Sequence, residues 1–265
     1  SNGSTLDKWL NMMEVLKNPQ KVTEIAIVGK YIGHQSAYES IYEALTHGGI
    51  GNATKVKERR IESEDIEKEG AEQLLQGCNG ILIPGGFGER GIEGKIEAVR
   101  YARENKIPYL GLCLGLHCAT IEFARNVCNL AEANSTEFDS NTPDPVICLL
   151  EEQKNIEKMG GTMRLGAQQC RLEPNTIAHK SYGQEIISER HRHRYEFNNK
   201  YRDIFAPKGM ICSGFTMDNE LVEIIELKDH PWFLAVQFHP EFKSKPTNPH
   251  PLFKEFIKAT LDVNS

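Results

Sequence analysis

No stretch of this chain approaches the ~20 consecutive apolar residues of a membrane-spanning helix. Nothing at its start has the charged, apolar, small-residue order of a secretory signal. Positive charge is in deficit: 31 Lys and Arg stand against 37 Asp and Glu, a formal net charge of −6. That balance argues against nucleic acid or an anionic membrane surface as a partner. The seven cysteines include no Cys-x-x-Cys pair. An odd, scattered set in a chain this long reads as free thiols in a reducing, cytoplasmic compartment, not as a disulfide framework. The P-loop pattern Gly-x4-Gly-Lys-Ser/Thr is missing, as are repeats and low-complexity tracts. What is left is a globular protein whose 265 residues suffice for a full core.

The patterning is that of an α/β domain. Leu6, Trp9, Leu10, Met13 and Leu16 recur at helical spacing up to Asn18-Pro19. After the opening Ser1-Asn2-Gly3-Ser4, which reads as an expression remnant, this helix is expected to be a linker, so that residues 1–20 precede a domain over 21–265. Strands are expected at 24–30, 55–61, 80–83 and 107–112. Helices alternate with them at 36–47 (ended by Gly48-Gly49), 64–76 and 94–105. Such βαβ units build a mainly parallel open sheet flanked by helices, with ligand sites at the C-terminal strand ends. After Asn129 the pattern becomes strands joined by turns, at 146–150, 163–173, 188–198, 210–216 and 221–227, which predicts an antiparallel extension. A last core strand, 233–238, and a helix over 251–261 close the chain.

The chemistry-bearing residues sit where the strands end. Gly111-Leu112-Cys113-Leu114-Gly115 joins an apolar strand to a helix in the nucleophile-elbow pattern, with Cys where hydrolases carry Ser. The helix N-terminus favours thiolate there; taken alone, the same pattern also fits a structural cysteine in a tight turn. His239-Pro240-Glu241 follows the last core strand. Period-two alternation would set both side chains on one side, the carboxylate orienting the imidazole as base for Cys113. Pro84-Gly85-Gly86-Phe87-Gly88, directly after the 80–83 strand, lets backbone amides reach a ligand and suits an oxyanion hole, Gly86 and Leu114 supplying the donors. Gly86 to Gly91 also matches Gly-x-Gly-x-x-Gly, but the dinucleotide fingerprint belongs on the first βα turn and this one follows the third strand.

Together these three signatures resemble the class I, triad-type glutamine amidotransferases. Longer stretches resemble the glutaminase domains of CTP synthases: Val28 to Tyr31, Pro84 to Lys95, Asn134-Ser135-Thr136-Glu137-Phe138, Gly160 to Gly166, Glu189 to Glu196 and Gln237 to Phe242. The resemblance runs from about Ile25 to Leu261. It implies a flavodoxin-like fold, glutamine hydrolysis through a cysteine thioester, and Cys113, His239 and Glu241 as the triad. It further implies L-glutamine binding by Gly86, Leu114, Gly115, Leu116, His117, Glu137 and Arg194, and a GTP-responsive lid over Phe87, Arg90, Gly91 and Glu93. A carboxylate suits the α-ammonium of glutamine and an arginine its α-carboxylate. No cofactor or metal is expected in this domain: ATP, UTP and Mg would act on an N-terminal synthetase domain absent here, and GTP as an allosteric activator of the whole enzyme. The implied partner is that synthetase domain, in a homotetrameric full-length enzyme, with the isolated domain a monomer.

One departure stands out. Where the family has Met-Gln after Cys-Leu-Gly, this chain has Leu116-His117. If His117 contacts glutamine, its charge change near neutral pH would affect affinity; if it packs into the helix, nothing follows. His191 and His193 alternate with arginines as a His-x-His pair, for which the sequence offers no third metal ligand. Two other readings remain open at this level. Another triad glutaminase or γ-glutamyl hydrolase would leave the longer motifs unexplained, and a non-catalytic glutamine-binding module would leave the intact triad unexplained.

Overall fold

The computed structural model describes residues 5–30, 32, 37–149 and 163–262. Tyr31, Ser36, Leu150 and Gly160-Gly161-Thr162, drawn on above, lie outside them, as do residues 1–4. Three strands explain the layering. β3 (Gly80–Ile83), β4 (Tyr109–Leu112) and β12 (Phe233–Val236) are four residues each and wholly buried. A strand with no polar face has to be covered by helices on both sides. Period two then divides the core. Ala26, Val28, Tyr109, Phe233 and Ala235 face one helical layer, while Ile25, Ile27, Leu110, Leu112, Leu234 and Val236 face the other.

The elements before Cys113 are α1 (Thr5–Lys17), β1 (Lys21–Gly29), α2 (Glu39–Ile50), β2 (Thr54–Glu62), α3 (Ser63–Glu69), α4 (Ala71–Leu75), β3, α5 (Ile92–Glu104) and β4. After it come α6 (Leu114–Asn126), β5 (Asn134–Ser135), β6 (Pro145–Leu149), β7 (Arg164–Leu172), α7 (Ile177–Tyr182), β8 (Ile186–His193) and β9 (Tyr195–Phe197). The chain closes with α8 (Arg202–Phe205), β10 (Met210–Phe215), β11 (Val222–Leu227), β12 and α9 (Pro251–Asp262). Among the described residues, nine strands form one sheet in the order β2-β1-β3-β4-β12-β11-β10-β7-β8. The first five are mutually parallel, a doubly wound arrangement. From β12 onward the pairing is antiparallel. β5, β6 and β9 make a separate small sheet.

Three expectations need correction. Gly48 and Gly49 do not end α2, which continues to Ile50. A Cβ on either would lie 2.7 Å from the Phe253 carbonyl or 2.6 Å from that of Thr54, so they are there to let α9 and β2 approach. The 64–76 helix is two helices, broken at Gly70 with φ of 88°. The 188–198 strand is also two, β8 and β9, and they belong to different sheets.

Candidate active site

The turn between β4 and α6 is held tightly enough to fix Cys113 in a backbone conformation that side chains rarely adopt, φ 51° and ψ −98°. Its small neighbours are a steric requirement. A Cβ at Gly115 would come within 2.5 Å of the Ile83 carbonyl oxygen, and one at Gly111 within 2.8 Å of the Gly115 carbonyl carbon. The Cys113 amide donates to the Val236 carbonyl at 2.7 Å, and the amide of Leu116 donates back to the Cys113 carbonyl at 2.9 Å. Cys113 thus heads the thirteen-residue α6, at the end where the helix dipole is positive.

β12 lies next to β4 with Val236 opposite Leu112, so the residues that follow each strand meet. His239 arrives beside Cys113: a Cβ on Gly85 would lie 2.8 Å from His239 Cε1 and 3.5 Å from Cys113 Cβ. The expected reason for pairing His239 with Glu241 is wrong in detail. The backbone leaves the strand and turns into a 3-10 helix at Pro240–Lys243, and this turn, not strand alternation, brings Glu241 Oε1 to 2.8 Å from His239 Nδ1. Both side chains are nearly buried, and the His239 amide donates to the Arg190 carbonyl at 2.8 Å. Burial alone would lower the His239 pKa. Hydrogen bonds and charge from Cys113 and Glu241 outweigh it and push the value up to about 10. At neutral pH the imidazole is therefore a cation between a sulfur and a carboxylate.

Two cavities meet at Gly86, Phe87, Cys113 and Arg192. One, of 330 Å³, extends past His239, Glu241 and Phe242 to Tyr38 and Glu39 at the start of α2. The other, of 440 Å³, contains His117, Glu137, Met163, Arg194 and Tyr195. Glu137 and Arg194 thus share one cavity with the cysteine. Glu137 Oε1 accepts from the Gly88 amide at 3.0 Å. Burial raises the Glu137 pKa, and the Gly88 amide, Lys30 and Arg194 hold it down in part. Of the short segment after Cys113, Leu114 packs its side chain by Gly86, Gly115 lies on Ile83 and Leu116 points into the core, leaving only backbone for a ligand. In the expected lid, Phe87 lines both cavities and Lys30 Nζ donates to its carbonyl at 2.6 Å. Further along, Arg90 pairs with Glu64 at 3.7 Å, Gly91 starts α5 with φ of 71°, and Glu93 pairs with Arg125 at 2.8 Å.

His117 departs from a titrating substrate contact. Its ring is buried, Nε2 lies 3.0 Å from Gln237 Oε1, and burial pushes its pKa down to about 4. It is neutral throughout the physiological range. Gln237, which sequence reasoning passed over, also donates from Nε2 to Cys113 Sγ at 3.7 Å. The available signal was a polar residue at the end of the wholly apolar run Phe233-Leu234-Ala235-Val236. The structure also supplies the third group that the sequence lacked at the His-x-His pair: ligand atoms of His191, His193 and Glu223 all lie within 4.8 Å of one another. Arg164 already sits there, 2.7 Å from Glu223 and 3.2 Å from Glu196, and lends the carboxylates its charge.

Residues 35–259 match the family model of class I glutamine amidotransferases. Among curated proteins, the CTP synthase of Caldanaerobacter subterraneus subsp. tengcongensis is 57% identical over 98% of this chain and 48% of its own length. That of Carboxydothermus hydrogenoformans is 59% identical over 98% and 48%. The chain spans about half the length of the curated relatives it matches. Among solved structures, a Trypanosoma brucei CTPS glutaminase domain with bound acivicin superposes with a TM-score of 0.85. It is 38% identical, over 91% of this chain and 94% of that one.

Proposed function

The chain belongs to the class I glutamine amidotransferases, among the glutaminase domains of CTP synthases, and on that premise we propose that it hydrolyses L-glutamine to glutamate and ammonia through a thioester on Cys113. The observation that carries this is the placement of the His239 ring beside Cys113 with its Nδ1 2.8 Å from Glu241 Oε1. Sulfur attacks the side-chain amide carbon of glutamine, and the carbonyl electrons move to oxygen, where the amides of Gly86 and Leu114 would donate. As the tetrahedral centre collapses, the C–N bond breaks and His239 gives its proton to the departing ammonia. Water then attacks the thioester carbon while His239 takes a proton from it. The C–S bond breaks, releasing glutamate and restoring the thiolate. Glu241 keeps Nδ1 of His239 directed at itself, so that Nε2 serves the reaction. Glu137 and Arg194 would hold the α-ammonium and α-carboxylate of the substrate.

On the same reading, residues 21–265 are the amidotransferase domain, and the ammonia feeds ATP- and Mg-dependent amination of UTP to CTP on a synthetase domain of the same polypeptide, in a tetrameric enzyme. The twofold greater length of the relatives leaves room for that domain. The exposed Leu6, Trp9, Leu10, Met13 and Leu16 of α1 suit a linker that packs on it. GTP would act through the 87–93 segment, where the half-exposed Phe87 ring offers a face to a base. The test is ammonia release from glutamine by the purified chain, with Cys113→Ala inactive and a glutamine-analogue electrophile adding to Cys113. An adduct on Cys118 or Cys128 would overturn the reading.

A further inference from the structure

Resting on the reading of Cys113 as the nucleophile, we infer that the Gln237 side-chain amide is a hydrogen-bond donor to the Cys113 thiolate, and that His117 is the residue that fixes which end of that amide meets the sulfur. Gln237 is completely buried, and its backbone amide is tied to the Glu223 carbonyl at 2.9 Å. Its side chain spans the gap between two groups. Nε2 lies 3.7 Å from Cys113 Sγ, and Oε1 lies 3.0 Å from His117 Nε2. A primary amide has a donor end and an acceptor end, and a buried carbonyl oxygen needs a donor. The neutral His117 ring has one N–H: on Nε2 it satisfies Oε1, whereas on Nδ1 it would go to the Tyr195 backbone and leave the buried Oε1 without that donor. The amide NH2 is then left facing the sulfur. Turned the other way, the amide would set its oxygen dipole against a sulfur anion, which charge opposes. His117 is therefore a positioning residue acting through Gln237, which itself touches the reacting atom.

The replacement of the family's glutamine by His117 fits this arrangement. An imidazole buried deeply enough to stay neutral can donate to Gln237 without setting a second cation near the sulfur. Other groups face Cys113 as well. They are His239 and Glu241 after β12, Tyr38 just before α2 and Glu39 at its start, Arg192 and His193 of β8 with Arg194 and Tyr195 beyond it, and Glu137 after β5. His117 itself faces Glu137, His193 and Tyr195 in the second cavity. All of these stay in place in the variants below, so the comparison reads the amide alone.

The experiment is the pH dependence of iodoacetamide alkylation of the full chain, from pH 5 to 9.5, with the modified cysteine mapped by mass. Gln237→Leu and, as a second variant of similar size, Gln237→Met should each move the Cys113 profile up by about one pH unit, the worth of one hydrogen bond to a charged group. His117→Leu should move it in the same direction, and His117→Gln, which keeps a donor for Oε1, should bring it back toward wild type. If alkylation maps to a cysteine other than Cys113, the nucleophile reading falls. If it maps to Cys113 and both Gln237 variants overlie wild type, this inference alone falls. A shift in the Gln237 variants with none in His117→Leu would remove the role given to His117.

Discussion

Replacing Glu241 by Gln tests the central contact with its shape nearly unchanged. The His239 Nδ1 to Glu241 Oε1 bond is 2.8 Å long, with 12% and 5% of the two side chains exposed. A charge-assisted hydrogen bond this sheltered contributes about 1.5–3 kcal/mol. Removing it should lower kcat/KM for glutamine about 10- to 100-fold and drop the His239 pKa from its value of about 10 by roughly one to two units. The direction with pH follows from the same numbers. His239 is more basic folded than unfolded, where it titrates near ~6.5. Its protonated form therefore adds stability in full below about pH 6.5, and that contribution fades as pH climbs to about 10. In Glu241→Gln the loss of activity on the alkaline side should set in at lower pH, and the melting-temperature deficit should be largest near pH 6 and shrink toward pH 10. Ammonia release from pH 5.5 to 10, with thermal melts on the same samples, measures both. An alkaline limb in the wild-type position, or a loss equal to that of His239→Ala, would refute the orienting role of Glu241.

Three further outcomes are expected. Because Cys113 sits at φ 51°, Cys113→Gly should be at least as stable as Cys113→Ala, whereas elsewhere Ala to Gly costs about 0.5–1 kcal/mol; denaturant melts of the two variants decide it. Glu137→Gln should raise KM for glutamine about tenfold or more while leaving iodoacetamide alkylation of Cys113 nearly unchanged, since on the proposed roles it removes the ammonium's carboxylate but not the nucleophile. His230 accepts from the Trp232 amide, lies 3.2 Å from the Ala102 carbonyl and is pushed by burial to a pKa of about 4, so it stabilises the fold as a neutral ring. That contribution is present above about pH 6.5 and falls as pH drops toward 4, so the cost of His230→Gln in thermal melts should be greatest at pH 7 and diminish in acid.

The sequence was most legible where one physical rule acted alone. Gly80–Ile83, apolar and bounded by turns, was read to the residue, and the Gly-x-Cys-x-Gly turn was placed by its spacing alone, although part of the crowding that demands its glycines comes from Ile83 on the neighbouring strand. Legibility failed where two rules gave the same pattern. Two glycines at 48 and 49 fit a helix stop and a close approach equally, and only the backbones of Phe253 and Thr54 packed against them tell the two apart. Alternation runs without a break through Arg192, His193 and Tyr195, so it could not reveal that the chain passes from one sheet to another at Arg194. His239 and Glu241 were paired correctly for an incorrect reason, because Pro240 opens a 3-10 turn as readily as it extends a strand. The contacts of His117 and Gln237, which depend on β4 lying against β12, were beyond any local pattern.

That strand neighbourhood bears on how the protein comes into being. β4 and β12 are adjacent in the sheet, yet seven strands, β5 to β11, are synthesised between them. During vectorial synthesis the elbow cysteine emerges long before its histidine, and the slot beside β4 that β12 will fill stands open until the last strand is made. A nascent or truncated chain would thus carry a thiol with no imidazole beside it. On the proposed mechanism, reactivity switches on only with the final non-local strand insertion, the slowest kind of pairing to form. The order of the strands thereby delays the chemistry until the molecule around it is complete.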